Sequence, residues 1–588
     1  MKHKLLLFFT LITISLQAQG FNQYDRLWST YVGGNGLSFP KIVKDNYGNI
    51  IVAGSMRNTS FNLQHTLNRE YFQGFIYPTE NPLMYQSNDY VVSYVTKFSP
   101  NGTLITANYL PYQIIELEVD YTNHIVITGT TFRRDLGTSN VWFPAPGENW
   151  NGLVKLISKL DTNFNAIWTT YLPIKENYHN NIALDEQGNI YGTGLTNIDN
   201  GITTEGTFYP VAITREQGAS QGNGLLFKLN PNGQLIWGTF YANGLFTDID
   251  YYNQKLYITL RHNIREQFTI DFPWITENAY QTTPSISILS RFNALNGRRE
   301  LATYYGENDK LFLSNINVTN DGIYVTGDTE NLSNNTALIT SNSYQSVYGG
   351  GSTDIYIARL DDNFTPIWST YFGGNDMDYA GFEAKSLEYK DNHLYVTGIT
   401  ESTDLIFDDN TFRSTNNGNF DLLMIKFNPN GQLVWGSFFG SNGIEDLSSI
   451  LPINDETFYL AGRTDSPKDI TTPNTHQQYY SYLPNNGDFG QLFLAKFGRN
   501  DDLSTSDIST STLKIYPNPT KDKVYIKGFI HQDSLIEVYN LVGQKVITQK
   551  AKSGLTQTIE VQFLPKGTYI IKAIDINGKV FQEKLLIN

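Results

Sequence analysis

The sequence predicts an all-β protein: seven four-stranded sheets in a ring closed by the N-terminal strand, followed by a small Ig-like β-sandwich. Three observations carry this expectation. A phrase close to W-S-T-Y begins at Trp28, Trp168, Trp237, Trp368 and Trp435, with degenerate copies at Thr106 and Leu301. Each copy is followed by the same order of short alternating segments and Asn/Asp/Gly turns. The final stretch, from Leu513 onward, changes in composition and in the sign of its charge.

Taken in order, Lys2, His3 and Lys4 precede the mostly apolar run Leu5–Leu16 and then "QAQG". This reads as a secretory signal peptide over residues 1–19, too short to span a bilayer. No other apolar run approaches membrane length, so no transmembrane segment is expected. The chain has no cysteine, so burial and strand pairing rather than disulfides must hold an exported protein together.

Residues 20–499 carry the repeat. The copies lie 62 to 78 residues apart. After each W strand comes an alternating segment such as "GFEAKSLEYKD" (381–391), a tight turn, and a strand such as "NHLYVTGIT" (392–400). A long loop then leads to a third strand such as "DLLMIKF" (421–427), and "NPNG" (428–431) leads into the next W strand. Four antiparallel strands repeated seven times predict a seven-bladed β-propeller. With strands A to D counted outward and the W strand as D, the chain begins with an orphan D strand and ends with an orphan C strand. Leu27–Val32 is therefore expected beside Gly490–Phe497, closing the ring and removing an open sheet edge. The phrases "GNIYxTGxT", "xAYQTT", "DxYIAKL" and "xWSTYFGG" resemble the secreted bacterial β-propeller (SBBP) repeat. That resemblance implies a fold and leaves function open.

Residues 500–512 are polar and read as a linker. In 513–588 the sequence holds 11 Lys against 6 acidic residues, whereas the rest holds 31 basic and 51 acidic ones. So acidic a body should repel nucleic acid, and no nucleic-acid partner is expected. Short alternating strands in the tail predict the β-sandwich. Pro517-Asn518-Pro519, Gly543-Gln544-Lys545-Val546, "LPKGTY" with Leu564, Gly567 and Tyr569, and the terminal "GKVFQEKLL" resemble the type A C-terminal sorting domain of the type IX secretion system of Bacteroidetes. The resemblance implies Sec export, passage through the type IX translocon, contact with its sorting machinery, and a final place on the cell surface or outside the cell.

Loops on a rigid scaffold are where binding is expected. Here the B–C loops, about 20 to 35 residues each, build one thick face. Tyr71, Phe72, Tyr77, Trp142, Phe143, Trp150, Phe272, Trp274, Tyr479 and Tyr480 lie on them. Aromatics at equivalent loop positions (Trp150, Phe208, Tyr280, Tyr344, Phe412) read as repeat packing. Arg133, Arg134, Trp142 and Trp274 break the pattern and are the candidate ligand contacts. "GASQG" (218–222) matches a nucleophile elbow in letters but lacks the strand-to-helix context, so Ser220 reads as loop. Scattered histidines and the absence of a calcium-loop motif give no metal, and no cofactor is expected. Asp135, Glu148, Glu277 and Asp404 are loop carboxylates that glycoside chemistry could use. A basic residue recurs near the end of every C strand: Lys97, Lys159, Lys228, Arg291, Arg359, Lys426 and Lys496. With Asp45, Asp120, Asp185, Asp391 and Asp455 on the short-turn face, these predict ion pairs, weak if exposed. The sequence thus reads as a surface binding, adhesion or scaffold protein with a glycan or surface-protein ligand. The alternatives are an extracellular glycosidase or lyase, and a structural part of a cell-surface or gliding assembly.

Overall fold

A computed structural model of the chain describes residues 24–35, 40–58, 90–147, 152–175, 181–212, 222–241, 244–262, 272–332, 338–381, 385–407, 411–417, 419–480, 490–499, 514–527, 535–540, 543–551, 556–574 and 580–588. The chain divides into two compact units, Met1–Asn500 and Asp501–Asn588.

Among the described residues the first unit is built of seven antiparallel sheets. Sheet I runs outward through Lys41–Lys44, Ile50–Asn58, Tyr90–Phe98 and Leu104–Leu110. Sheet II comprises Gln113–Val119, Ile125–Thr131, Val154–Leu160 and Ala166–Leu172, and sheet III Ile182–Leu184, Ile190–Thr196, Asn223–Leu229 and Leu235–Tyr241. Sheet IV comprises Gly244–Tyr252, Lys255–His262, Ser287–Asn293 and Arg299–Tyr305, and sheet V Leu311–Val318, Ile323–Thr329, Asp354–Leu360 and Pro366–Phe372. In sheet VI the innermost strand is split into Asp378–Tyr379 and Leu387–Lys390, followed by His393–Thr400, Asp421–Phe427 and Leu433–Phe439. Sheet VII joins the two ends of the unit: Glu445–Asn454, Thr457–Thr464, Gln491–Arg499 and, outermost, Tyr24–Asn35. In that last pair Trp28 stands opposite Lys496 and Tyr31 opposite Phe493.

Each innermost strand touches the innermost strands of two neighbouring sheets, and that of sheet VII touches that of sheet I. The apolar core lies between sheets: Val32, Leu492 and Leu494 of sheet VII pack with Ile42, Ile50 and Val52 of sheet I. Strands buried on both faces explain why their inward alternation is mostly apolar on either side, as in Val154–Leu160, where all seven residues are buried.

The W position faces the next sheet. Trp28 donates its indole N–H to the Pro100 carbonyl, Trp168 to Pro231, Trp237 to Ala294 and Trp368 to Pro429, at 3.3, 3.0, 3.2 and 2.8 Å. Each acceptor lies in the C–D turn of the following sheet, and that turn's glycine (Gly102, Gly233, Gly297, Gly431) lies against the ring, where a Cβ would collide with it. These glycines have φ between 67° and 84°, a conformation that costs other residues energy. Where the W position is Thr106 or Leu301, the following turn carries Phe164 or Phe364 instead, at φ 67° and 62° and almost wholly buried. The large ring comes from one side of the junction or the other. Trp435 has no following C–D turn, because the chain leaves the sheet there. Its indole nitrogen is buried without a partner, and the Tyr24 ring packs edge-on against it at 5.0 Å. Trp168, Trp237, Trp368 and Trp435 are buried, whereas Trp28, expected to be buried, is only half-buried.

The recurrent basic residues stand directly opposite the W position in all seven sheets, as Lys159 does Trp168 and Arg359 Trp368. Three of the expected pairs are buried, so the weakness of exposed pairs does not apply to them. The Lys97–Asp45, Lys159–Asp120 and Lys228–Asp185 side chains are 8 % exposed or less. One oxygen of each aspartate organises its turn: Asp45 Oδ1 accepts from the amides of Tyr47 and Asn49, and Asp120 and Asp185 repeat the pattern. The other oxygen faces the lysine. Asp391 takes no such part, since its turn is a left-handed Asp391-Asn392 pair. Lys426 instead reaches Asp455 of the next sheet at 2.5 Å, where His393 and Arg499 also converge.

The second unit is a three-stranded sheet (Lys514–Tyr516, Lys523–Lys527, Thr556–Glu560) and a four-stranded sheet (Lys545–Lys550, Leu535–Asn540, Gly567–Ile574, Val580–Ile587, in spatial order). They enclose a core that includes Val524, Ile536, Val538, Ile559, Ile571 and Leu585.

Candidate functional site: an axial cavity and two loop groups

The innermost strands are edge strands, with amides facing the axis that no further strand can pair. Polar side chains from the neighbouring sheet satisfy them. Asp248 Oδ2 accepts from the amide of Ile316 at 2.9 Å, and Asp250 Oδ2 from that of Val318 at 2.6 Å. Asn315 and Asn317 accept in turn from Ser386 and Tyr389, and Ser449 Oγ from Lys385. Period-2 alternation places these groups on the axial side of their strands, as it does Glu116 and Glu118.

Glu116, Glu118, Asp248, Asp250, Asn315 and Asn317 line a cavity of about 250 Å³. Inside it Lys41 pairs with Glu116 at 3.1 Å, and Lys385 bridges Glu118 at 3.2 Å and Glu388 at 2.9 Å. Burial pushes Asp248 up to about 8 and Asp250 to about 7, against the pull of the amides they accept. Burial and the nearby Glu116 and Glu388 also raise Glu118, which Lys385 partly offsets. For Lys385 burial acts downward, but Glu118 and Glu388 outweigh it and hold the ammonium well above its ordinary value. The cavity can take water or a small polar molecule and can hold a proton on Asp248 at neutral pH.

This cavity was not anticipated from the sequence. The available signal is the polar alternation in "IELEV" (115–119), "TDIDY" (247–251) and "SNINV" (314–318). Much of the B–C loop face, including Tyr71, Phe72, Tyr77, Glu148, Trp150 and Ser220, lies outside the described residues. Of the four candidate contacts, Arg133 forms a two-point pair with Asp135 at 2.9 and 2.6 Å. Arg134 donates to the Gly152 carbonyl at 3.4 Å. The Trp142 ring packs against Phe143 and Phe227, at 5.1 and 5.2 Å. The Trp274 ring packs against Phe272 at 5.0 Å, and its carbonyl accepts from Arg299. The two tryptophans are packed against different core clusters. Asp404 accepts from the Asn375 amide at 2.9 Å.

In the second unit the motif residues fall into three places. Asn518 bonds one edge of the last strand at two points, donating to the Lys584 carbonyl at 2.7 Å and accepting from the Leu586 amide at 2.8 Å, between Pro517 and Pro519. Gly543, at φ 80°, and Gln544 close the turn that starts at Asn540. Lys545 reaches Glu537 at 2.7 Å, and Val546 packs on the core. Leu564 also packs there, and after Gly567 the buried Tyr569 donates to the Pro565 carbonyl at 2.8 Å. Pro517 to Pro519 and Gly543 to Lys545 are exposed.

Residues 514–588 match the secretion system C-terminal sorting domain family. An 86-residue stretch, 15 % of the chain, is 29 % identical to the ulvan lyase NLR42 of Nonlabens ulvanivorans, of which it covers 16 %. Solved structures similar in fold include a protein of unknown function from Dyadobacter fermentans, with 10 % identity, 81 % of this chain and 99 % of that one covered, and a TM-score of 0.34. The Pan2 WD40 domain of Neurospora crassa gives 8 % identity, 83 % and 98 % coverage and 0.36. The phage phi92 endosialidase gives 10 %, 96 % and 87 %, and 0.30. The C-terminal unit is a type IX sorting domain, and it marks the chain for export to the cell surface or the surroundings through the sorting machinery.

Proposed function

We propose that the chain is a cell-surface or released binding and scaffold protein whose first unit is a closed seven-bladed β-propeller of the SBBP-repeat kind. Sec export before the type IX step belongs to the same reading. One observation favours binding over catalysis. Every carboxylate lining the axial cavity already holds a lysine or a strand-edge amide: Glu116 with Lys41, Glu118 with Lys385, Asp248 with Ile316, Asp250 with Val318. The second oxygens of Glu116, Asp248 and Asp250 also accept, from the amides of Leu117, Ile249 and Tyr251, whereas a catalytic pair would have oxygens left for substrate. The B–C loops, with Arg133, Arg134, Trp142 and Trp274, are then the surface for a glycan or a surface protein.

A carbohydrate-active enzyme is the second reading. Asp248, raised to about 8, lies in the range of a general acid at neutral pH, and the chain shares a short stretch with an enzyme named as an ulvan lyase. The test is a glycan array with the secreted protein, paired with hydrolysis and elimination assays on the same sugars. Binding without turnover is expected. Turnover that Asp248→Asn abolishes would establish the enzyme instead.

A further inference from the structure

One loop residue recurs at the same place in six junctions between sheets, as the aromatic Phe143 and Tyr209 in two and as a polar residue in four. The backbone amides of Gln281, Gln345, Arg413 and Gln477 donate to the hydroxyls of Thr303, Thr370, Ser437 and Thr30, at 2.8 or 2.9 Å. Three of their side chains reach the carbonyl of the glycine that ends the outer strand: Gln281 to Gly306, Gln345 to Gly373 and Arg413 to Gly440. These positions are therefore equivalent, and their charges can be compared.

Two of the junctions bury acid. Between sheets V and VI, Asp354 and Asp378 face the same spot. Asp354 Oδ1 lies 2.5 Å, and Asp378 Oδ2 2.9 Å, from the position a Cβ would take on Gly373. Between sheets VI and VII, Asp421 and Glu445 occupy the same places over Gly440. All four are fully buried. At the second junction the recurring residue is Arg413, whose charge acts on Asp421. At the first it is the neutral Gln345. Burial and Asp378 push Asp354 up against the amides of Gly349 and Gly350, and the neutral Gln345 Nε2 donates to its Oδ2 at 3.4 Å. Its Oδ2 accepts from the Gly349 amide at 2.7 Å, while Oδ1 is buried without a partner. Asp378 Oδ2 accepts from the Gly374 amide and Ser402 Oγ. Where the acids are absent, between sheets IV and V, Leu311 begins the inner strand and Gln281 suffices.

We propose that the junction of sheets V and VI binds a hard divalent cation, Ca²⁺, between Asp354 and Asp378, in the role that Arg413 plays one junction on. The donors are all oxygen, as Ca²⁺ prefers, and water and backbone carbonyls complete its six to eight ligands. The neighbouring Asn375 and Asp376 are exposed and give the ion a way in. The ion would tie the loop 349–351 and strand C of sheet V to strand A of sheet VI. An affinity of about 10⁻⁴–10⁻³ M is expected for an extracellular module.

The test uses the purified full chain. Its Tm in about 10 mM CaCl₂ is compared with that in EDTA, and Tb³⁺ luminescence is followed with displacement by Ca²⁺. A rise of about 1–3 °C with Ca²⁺ is expected. Gln345→Arg should supply the charge internally, raising the Tm in EDTA and removing the response to Ca²⁺. Asp354→Asn with Asp378→Asn should remove both the response and the Tb³⁺ signal. A wild-type Tm indifferent to Ca²⁺ would mean that the pair shares a proton instead. A Ca²⁺ response that survives in both variants would place the ion elsewhere. Either result overturns the proposal, and neither bears on glycan binding.

Discussion

Trp368 and Gly431 form one half of an exchange that the molecule also makes in reverse, at Leu301 and Phe364. A built Cβ on Gly431 would lie 2.5 Å from the Trp368 ring, and Gly431 sits at φ 77°. Gly431→Phe alone should therefore cost more than about 3 kcal/mol. The added ring overpacks the junction, worth about 1–3 kcal/mol, and the left-handed backbone adds about 1–3 kcal/mol. Trp368→Leu alone empties a site that is 1 % exposed and leaves the Pro429 carbonyl to Arg359 alone. It should cost about 3 kcal/mol. The two together recreate the Leu301–Phe364 arrangement, in which Phe364 holds φ 62° in a fully buried place. The double variant should then be no less stable than Trp368→Leu, giving a favourable coupling at least as large as the Gly431→Phe loss. Urea unfolding of all four proteins, followed by circular dichroism at equal m-values, measures it. Additive losses would refute the idea that the ring merely changes sides.

Three further outcomes are expected. Ser29→Cys with Ala495→Cys, which face each other across the closing strands, should oxidise to an intramolecular disulfide in this cysteine-free chain, read as a mobility shift lost on reduction; no crosslink would break the pairing. Replacing both Asp248 and Asp250 by Asn should flatten the fall in stability between pH 5 and 8. Unfolded aspartates are ionised there (about 3.9), while the folded ones keep protons to about 8 and 7. Folding therefore takes up protons and weakens as pH rises, and parallel profiles for wild type and variant would refute this. Lys159→Met should cost about 3–5 kcal/mol, because it leaves Asp120 charged and buried. Burial acts to raise Asp120, but the hydrogen bonds from Lys159, Thr122 and His124 outweigh it and hold it below the ordinary aspartate value. The wild-type contribution is thus complete above about pH 4 and is lost as pH falls below that; a variant as stable as wild type at pH 7 would show the pair to be idle.

The strands, their turns and the pairing of the two chain ends were legible in the sequence. Alternation with a period of two, the Asx residue that opens each turn, and a phrase repeated every 62 to 78 residues are properties of the chain read one segment at a time. The tail was legible for another reason: Gly543 and Tyr569 each fill a geometric need set within a few residues, and the Asn518 that ties the first segment to the last strand stands between two prolines. What the tertiary structure alone decided is which charges meet. Lys385 reaches Glu118 across 267 positions of sequence, and Lys426 takes Asp455 of the neighbouring sheet rather than Asp391 of its own. Asp354 and Asp378 come together over a glycine between two sheets, and the half-burial of Trp28 depends on the turn that covers it. Repeat period and turn type depend on neighbours a few residues away. Charge pairing and burial depend on distances of a few ångströms through a medium that has lost its water, and those are set only when the sheets close against one another.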